Sequence, residues 1–78
     1  MSTKEFRAHA VLCLSNQGGI AIELSENGGA IRYQWYNKKP SHWCRICFNQ
    51  KGEHYFRARG RRFYLSEFQI IRQPLKNN

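Results

Sequence analysis

Seventy-eight residues make one small domain and leave no room for a two-domain enzyme. With 41% hydrophobic, 14% aromatic and 23% charged residues, the chain has enough large side chains to collapse, which excludes wholesale disorder. Thirteen Lys and Arg against five Glu and no Asp give a formal net charge of +8, so the expected partner is a polyanion, either nucleic acid or an acidic protein surface.

The chain reads as a single β domain over residues 1–78, with frayed ends at 1–7 and 73–78. Residues 1–7 lead into a seven-residue apolar run at 8–14 that contains His9, too short to span a bilayer and without a cleavage site. Three cysteines, Cys13, Cys44 and Cys47, are an odd number and too few for a disulfide framework. Together these features predict a cytoplasmic protein with reduced thiols and no membrane contact. Ala10, Leu12 and Leu14 alternate before a turn at 15–19, and Ile20, Ile22 and Leu24 alternate before a turn at 25–29. Each turn carries paired glycines, a hairpin signal.

A third strand at 30–36 carries Ile31, Tyr33 and Trp35 on one face and ends in a loop around Pro40, which has no N–H to give a ladder. A fourth at 42–48 stops at the turn 49–52. A fifth at 53–59 meets Gly60, which makes either a tight turn or a bend in one long strand, and the pattern resumes at 61–65. Ser66 is placed to cap a single 3₁₀ turn near 66–68, before a last short strand at Ile70 and Ile71. This tail of strand, one 3₁₀ turn and strand resembles the closure of SH3-like barrels, and the resemblance carries no functional residue. The expected fold is all-β, a small antiparallel meander curled into an SH3-like barrel of five to six strands.

The charge is not spread evenly. Residues 30–64 hold nine basic residues against Glu53 alone, whereas the two flanking segments balance four basic residues with four acidic ones. Strand parity sends Ile31, Tyr33, Trp35, Cys44, Ile46, Phe48, Phe56, Ala58, Phe63 and Leu65 inward. The other face then gathers Arg and aromatic residues on one exterior sheet side. Guanidinium groups bind phosphate through a planar fork, and aromatic faces stack on bases for about 1–3 kcal/mol each. The candidate nucleic-acid-binding residues are Arg32, Tyr36, Lys38, Lys39, Trp43, Arg45, Tyr55, Arg57, Arg59, Arg61, Arg62 and Tyr64. Tyr36, Trp43, Tyr55 and Tyr64 are the expected stacking platforms, Lys38 and Lys39 are loop contacts, and Arg61 is a loop-tip charge if Gly60 makes a tight turn.

The expected function is a small basic nucleic-acid-binding module for RNA or DNA with weak sequence preference. The alternative is an adaptor or inhibitor, of the phage or mobile-element accessory type, that docks the same basic and aromatic face on an acidic protein, since Arg, Tyr and Trp dominate protein hot spots. A blander account has arginine stems covering the aromatics by cation–π contact. An open strand edge would also allow a homodimer.

The string Cys44-Arg45-Ile46-Cys47 resembles the first ligand pair of RING-type zinc domains over four residues. The later pairs are missing, so no function follows. On a regular strand Cys44 and Cys47 point to opposite faces, which opposes chelation; a zinc site would need both of them, His42 or His54, and Cys13. No metal or cofactor is expected. His9, His42 and His54 have no adjacent Asp, the chain has no nucleophile elbow or phosphate loop, and the glutamates form no pair, so the protein is not expected to be an enzyme.

Overall fold

The computed structural model describes residues 6–14 and 18–71, and among these the chain is all-β: eight strands in two antiparallel sheets, with one 3₁₀ turn. No helix among the described residues is long and apolar enough to cross a membrane. Of the ends expected to fray, residues 1–5 and 73–78 lie outside the described residues.

β1 (Ala10–Leu14) and β2 (Gly18–Leu24) pair from Ala10↔Ile22 to Leu14↔Gly18, as their alternation predicts; the intervening residues 15–17 lie outside the described part. β3 (Ala30–Trp35) continues the sheet with Ile20↔Trp35, Ile22↔Tyr33 and Leu24↔Ile31, so one face collects every large apolar residue of the hairpin. The turn between β2 and β3 is held by Ser25, whose Oγ donates to Asn27 Oδ1 at 2.8 Å and accepts from Ala30 N at 3.0 Å. Gly28 supplies the left-handed residue there, with φ of 76°. Just before β1 begins, His9 Nδ1 accepts from Leu24 N at 3.0 Å, so an imidazole stands in for a backbone acceptor at the end of β2.

The strand expected over 42–48 does not run through. It divides at Ile46 into β4 (Cys44–Arg45), the edge of the first sheet beside β3, and β5 (Cys47–Phe48), which opens a second sheet with β6 (His54–Ala58) and β7 (Arg61–Tyr64). A short chain covers both sides of a core only if its sheets face each other, so a strand serving both must bend. Ile46 stays packed on the core as the chain bends around it. Among the described residues the strands number eight, where five to six are expected, because the chain divides here and again at Gly60.

Gly60 makes a tight turn. Arg59 and Gly60 take φ of 54° and 75°, both left-handed, in a two-residue hairpin that closes on Ala58↔Arg61. The 3₁₀ turn spans Leu65–Glu67, with Phe68 N donating to Leu65 O at 3.1 Å. Ser66 does not cap it: Tyr64 occupies the N-cap position and no side chain bonds there, because Ser66 falls one residue inside the turn. β8 (Gln69–Ile70) returns to β1 through Ala10↔Ile70.

Both sheets share one core. Ile20 and Ile31 from the first sheet meet Phe56 and Phe63 from the second, all four fully buried. Phe56 stands 5.2 Å from Tyr33, 5.5 Å from Phe63 and 5.8 Å from Phe68, ring centroid to centroid. Phe48, expected inside, is 67% exposed. β5 is two residues long, and the chain leaves for the 49–52 turn before Phe48 reaches the core.

Candidate nucleic-acid interface

On the second sheet, the two-residue period sets Cys47, Tyr55 and Tyr64 in one cross-strand row and Arg57 and Arg62 in the next. The Tyr55 and Tyr64 rings lie 5.3 Å apart, and the Arg62 guanidinium sits over the Tyr55 ring at 4.4 Å. Arg62 also donates to Tyr64 Oη at 3.3 Å, and Asn49 Nδ2 donates to the same oxygen at 3.4 Å. Asn49 itself organises the 49–52 turn, its Oδ1 accepting from Lys51 N and Glu53 N, each at 2.9 Å.

The hydrogen bonds from Arg62 and then Asn49 favour the phenolate and hold Tyr64 below the usual tyrosine range. The attraction is absent while the phenol is protonated. It therefore contributes stability at alkaline pH and is lost as the pH falls through the folded-state value. In an ultraviolet phenolate titration we expect one tyrosine to ionise ahead of the others, and Arg62→Gln to return it to the group; an unchanged titration would remove the Arg62–Tyr64 bond from the account.

Arg57 stands directly opposite Arg62 across the β6–β7 ladder. Like charges in that position repel. Neither belongs to an ion pair among the described residues, where Arg32 pairs with Glu23 and Arg61 with Glu67. Beside them Phe48, Asn49, Gln50, Lys51, Tyr55 and Arg62 line a depression of about 600 Å³.

The other expected residues do not join this face, because the chain has changed sheets at Ile46. Arg32 lies on the outer side of the first sheet, where its Nε donates to Glu23 Oε1 at 2.8 Å. Its guanidinium is 4.9 Å from the Trp43 ring and 5.4 Å from the Phe6 ring, so Trp43, 43% exposed, already carries a cation of its own chain. Arg45 is exposed opposite Ala30 at the β4 edge. Tyr36 is exposed at the end of β3 beside Gly18, and Lys38 and Lys39 are exposed in the loop that follows.

Arg59, not Arg61, holds the tip of the β6–β7 turn, and its guanidinium lies on the Trp35 ring at 3.9 Å. Arg61 is paired with Ala58, covers the Phe63 ring at 4.3 Å and reaches Glu67 at 3.6 Å. Tyr55, expected as an open stacking platform, is only 9% exposed because Arg62 covers it. Four of the arginines thus lie on rings of their own chain, which is what the cation–π account describes. Arg45 and Arg57 lie on no ring and in no ion pair among the described residues.

Sequence reasoning missed Phe48 and His54, both exposed, whose rings meet edge to face at 5.8 Å. The signal was the turn run Asn49-Gln50-Lys51-Gly52 directly after Phe48, since a strand's last residue lies at the rim of its sheet. Cys44 faces the core, with its Sγ donating to His42 O at 3.3 Å, while Cys47 stands opposite Tyr55 on the second sheet. All three cysteines are free, and no group of three or more His, Cys, Asp or Glu among the described residues is placed to hold a metal ion. Compared with known proteins, the chain matches no family model, no curated protein and no solved structure.

Proposed function

We propose that the protein is a small cytoplasmic nucleic-acid-binding module that grips phosphates with Arg57, Arg62 and Lys51 on the outer side of the second sheet. The observation that carries this reading is the cross-strand Arg57–Arg62 pair without a carboxylate. Such a pair costs folding stability, and a bridging phosphate would turn repulsion into two charge-assisted contacts. We read the two sheets as an SH3-like barrel. Ile46 alone joins β4 to β5, and the 3₁₀ turn carries the chain from β7 to β8 against β1, as in the closure of that fold.

Fluorescence anisotropy with mixed RNA and DNA oligonucleotides at low salt tests the proposal, and an absence of binding would end it. Arg57→Thr is expected to weaken binding and to reduce the slope of log affinity against log salt by about 0.7 for single strands or about 0.9 for duplex. The same substitution is expected to raise the urea midpoint, because it removes the like-charge contact and places a β-branched residue in a strand. A binding residue whose loss stabilises the fold distinguishes this site from one built for structure.

A second reading is an adaptor or inhibitor that docks this same basic and aromatic face on an acidic protein, drawing on Arg57 and Arg62, which have no carboxylate partner among the described residues. A pull-down from nuclease-treated lysate that recovers one stoichiometric protein would favour it.

A further inference from the structure

Resting on the phosphate-binding reading above, we infer that the ligand is single-stranded and that Phe48 is the platform on which one of its bases stacks. Phe48 is 67% exposed, so an aromatic face is open to solvent. It is not loose: the His54 ring meets it edge to face at 5.8 Å, and the adjoining turn is pinned by Asn49 Oδ1 accepting from Lys51 N and Glu53 N, each at 2.9 Å. A ring held in place before binding loses little freedom when a base settles on it.

Phe48 also shares its depression with two cations, Lys51 and Arg62, and two amide side chains, Asn49 and Gln50. Arg57, opposite Arg62, extends the positive charge along the sheet from this depression. Phe48 pairs with His54, so its ring has the parity of the core face and stands at the rim of the sheet; a strand whose phosphates run past Arg62 and Lys51 crosses that rim to bring a base over Phe48. In a duplex both faces of each base are covered by neighbours, so only an unpaired base offers a face to stack. The charge around this depression selects a polyanion, and the exposed ring at its rim selects one that carries free aromatic faces.

The test uses the full chain with short labelled oligothymidylate and oligouridylate, a blunt duplex of the same length, and inorganic polyphosphate as a charge-only competitor. Single strands are expected to bind more tightly than duplex or polyphosphate, and Phe48→Ser to weaken the single strands roughly tenfold while leaving the other two unchanged. Phe48→Trp should retain binding and show quenching of its indole by the oligonucleotide. Equal losses for all three ligands, a preference for duplex, or no effect of Phe48→Ser would overturn the inference. If Arg57→Thr still weakens polyphosphate in those cases, the phosphate-binding reading survives alone. If the unmodified chain binds none of the ligands, both fall together.

Discussion

Phe56→Ala is expected to remove about a quarter or more of the stability of the fold. Phe56 is 1% exposed and contacts the rings of Tyr33, Phe63 and Phe68, so truncation removes apolar contact from both sheets at once. A Phe→Ala change in a core costs about 3–5 kcal/mol, against a total of about 4–12 kcal/mol for a domain of this length. Urea denaturation followed by circular dichroism should show the midpoint fall. Phe48→Ala, at an exposed ring, should move it little. If both changes shifted the midpoint equally, the sheets would not share the core described.

Much of this core could be read from the chain. The alternation in Ile20, Ile22 and Leu24 and in Ile31, Tyr33 and Trp35 fixes which face is buried, because a slip of one residue would turn each apolar set to water. Phe56 and Phe63, opposite one another, follow by the same reasoning. The division of 42–48 at Ile46 could not be read this way, since parity describes a strand's faces and says nothing about when it leaves one sheet for another. Gly60 was open for a related reason: a left-handed glycine serves a tight turn and a bulge alike, and the choice depends on whether Ala58 and Arg61 pair.

The candidate site was legible as charge and less so as geometry. Arg57 and Arg62 share a face as their spacing around a two-residue turn requires. Tyr55 has the right parity for an exposed ring and is nevertheless covered, because the neighbouring Arg62 lays its stem and guanidinium across it. Arg59 and Arg61 are likewise drawn onto Trp35 and Phe63, contacts between segments that no local pattern reports. Counting arginines thus overstates the cations available to a ligand: of the expected binding arginines that no ring covers among the described residues, Arg57 lies on the second sheet and Arg45 at the β4 edge of the first.

Arg32→Ala is expected to destabilise the fold by about 3–5 kcal/mol, an effect of the same order as a core truncation. The substitution strands the Glu23 carboxylate, which is 6% exposed and has Arg32 as its ion-pair partner among the described residues. A buried charge without its counter-ion has lost its hydration and received nothing in return. Replacing both partners by apolar residues of similar volume, Glu23→Leu with Arg32→Met, should recover most of that loss, because the desolvation cost of both charges disappears together and the net charge of the protein is unchanged. Urea midpoints of the single and double variants measure this directly. If the double variant is as unstable as Arg32→Ala, the stacking of Arg32 between Trp43 and Phe6 carries the energy and the ion pair does not. The same double variant also decides the role of Arg32 in binding. With the guanidinium committed to Glu23 and Trp43, oligonucleotide affinity should stay within twofold, whereas a roughly tenfold loss would make Arg32 a ligand contact and extend the binding face onto the first sheet.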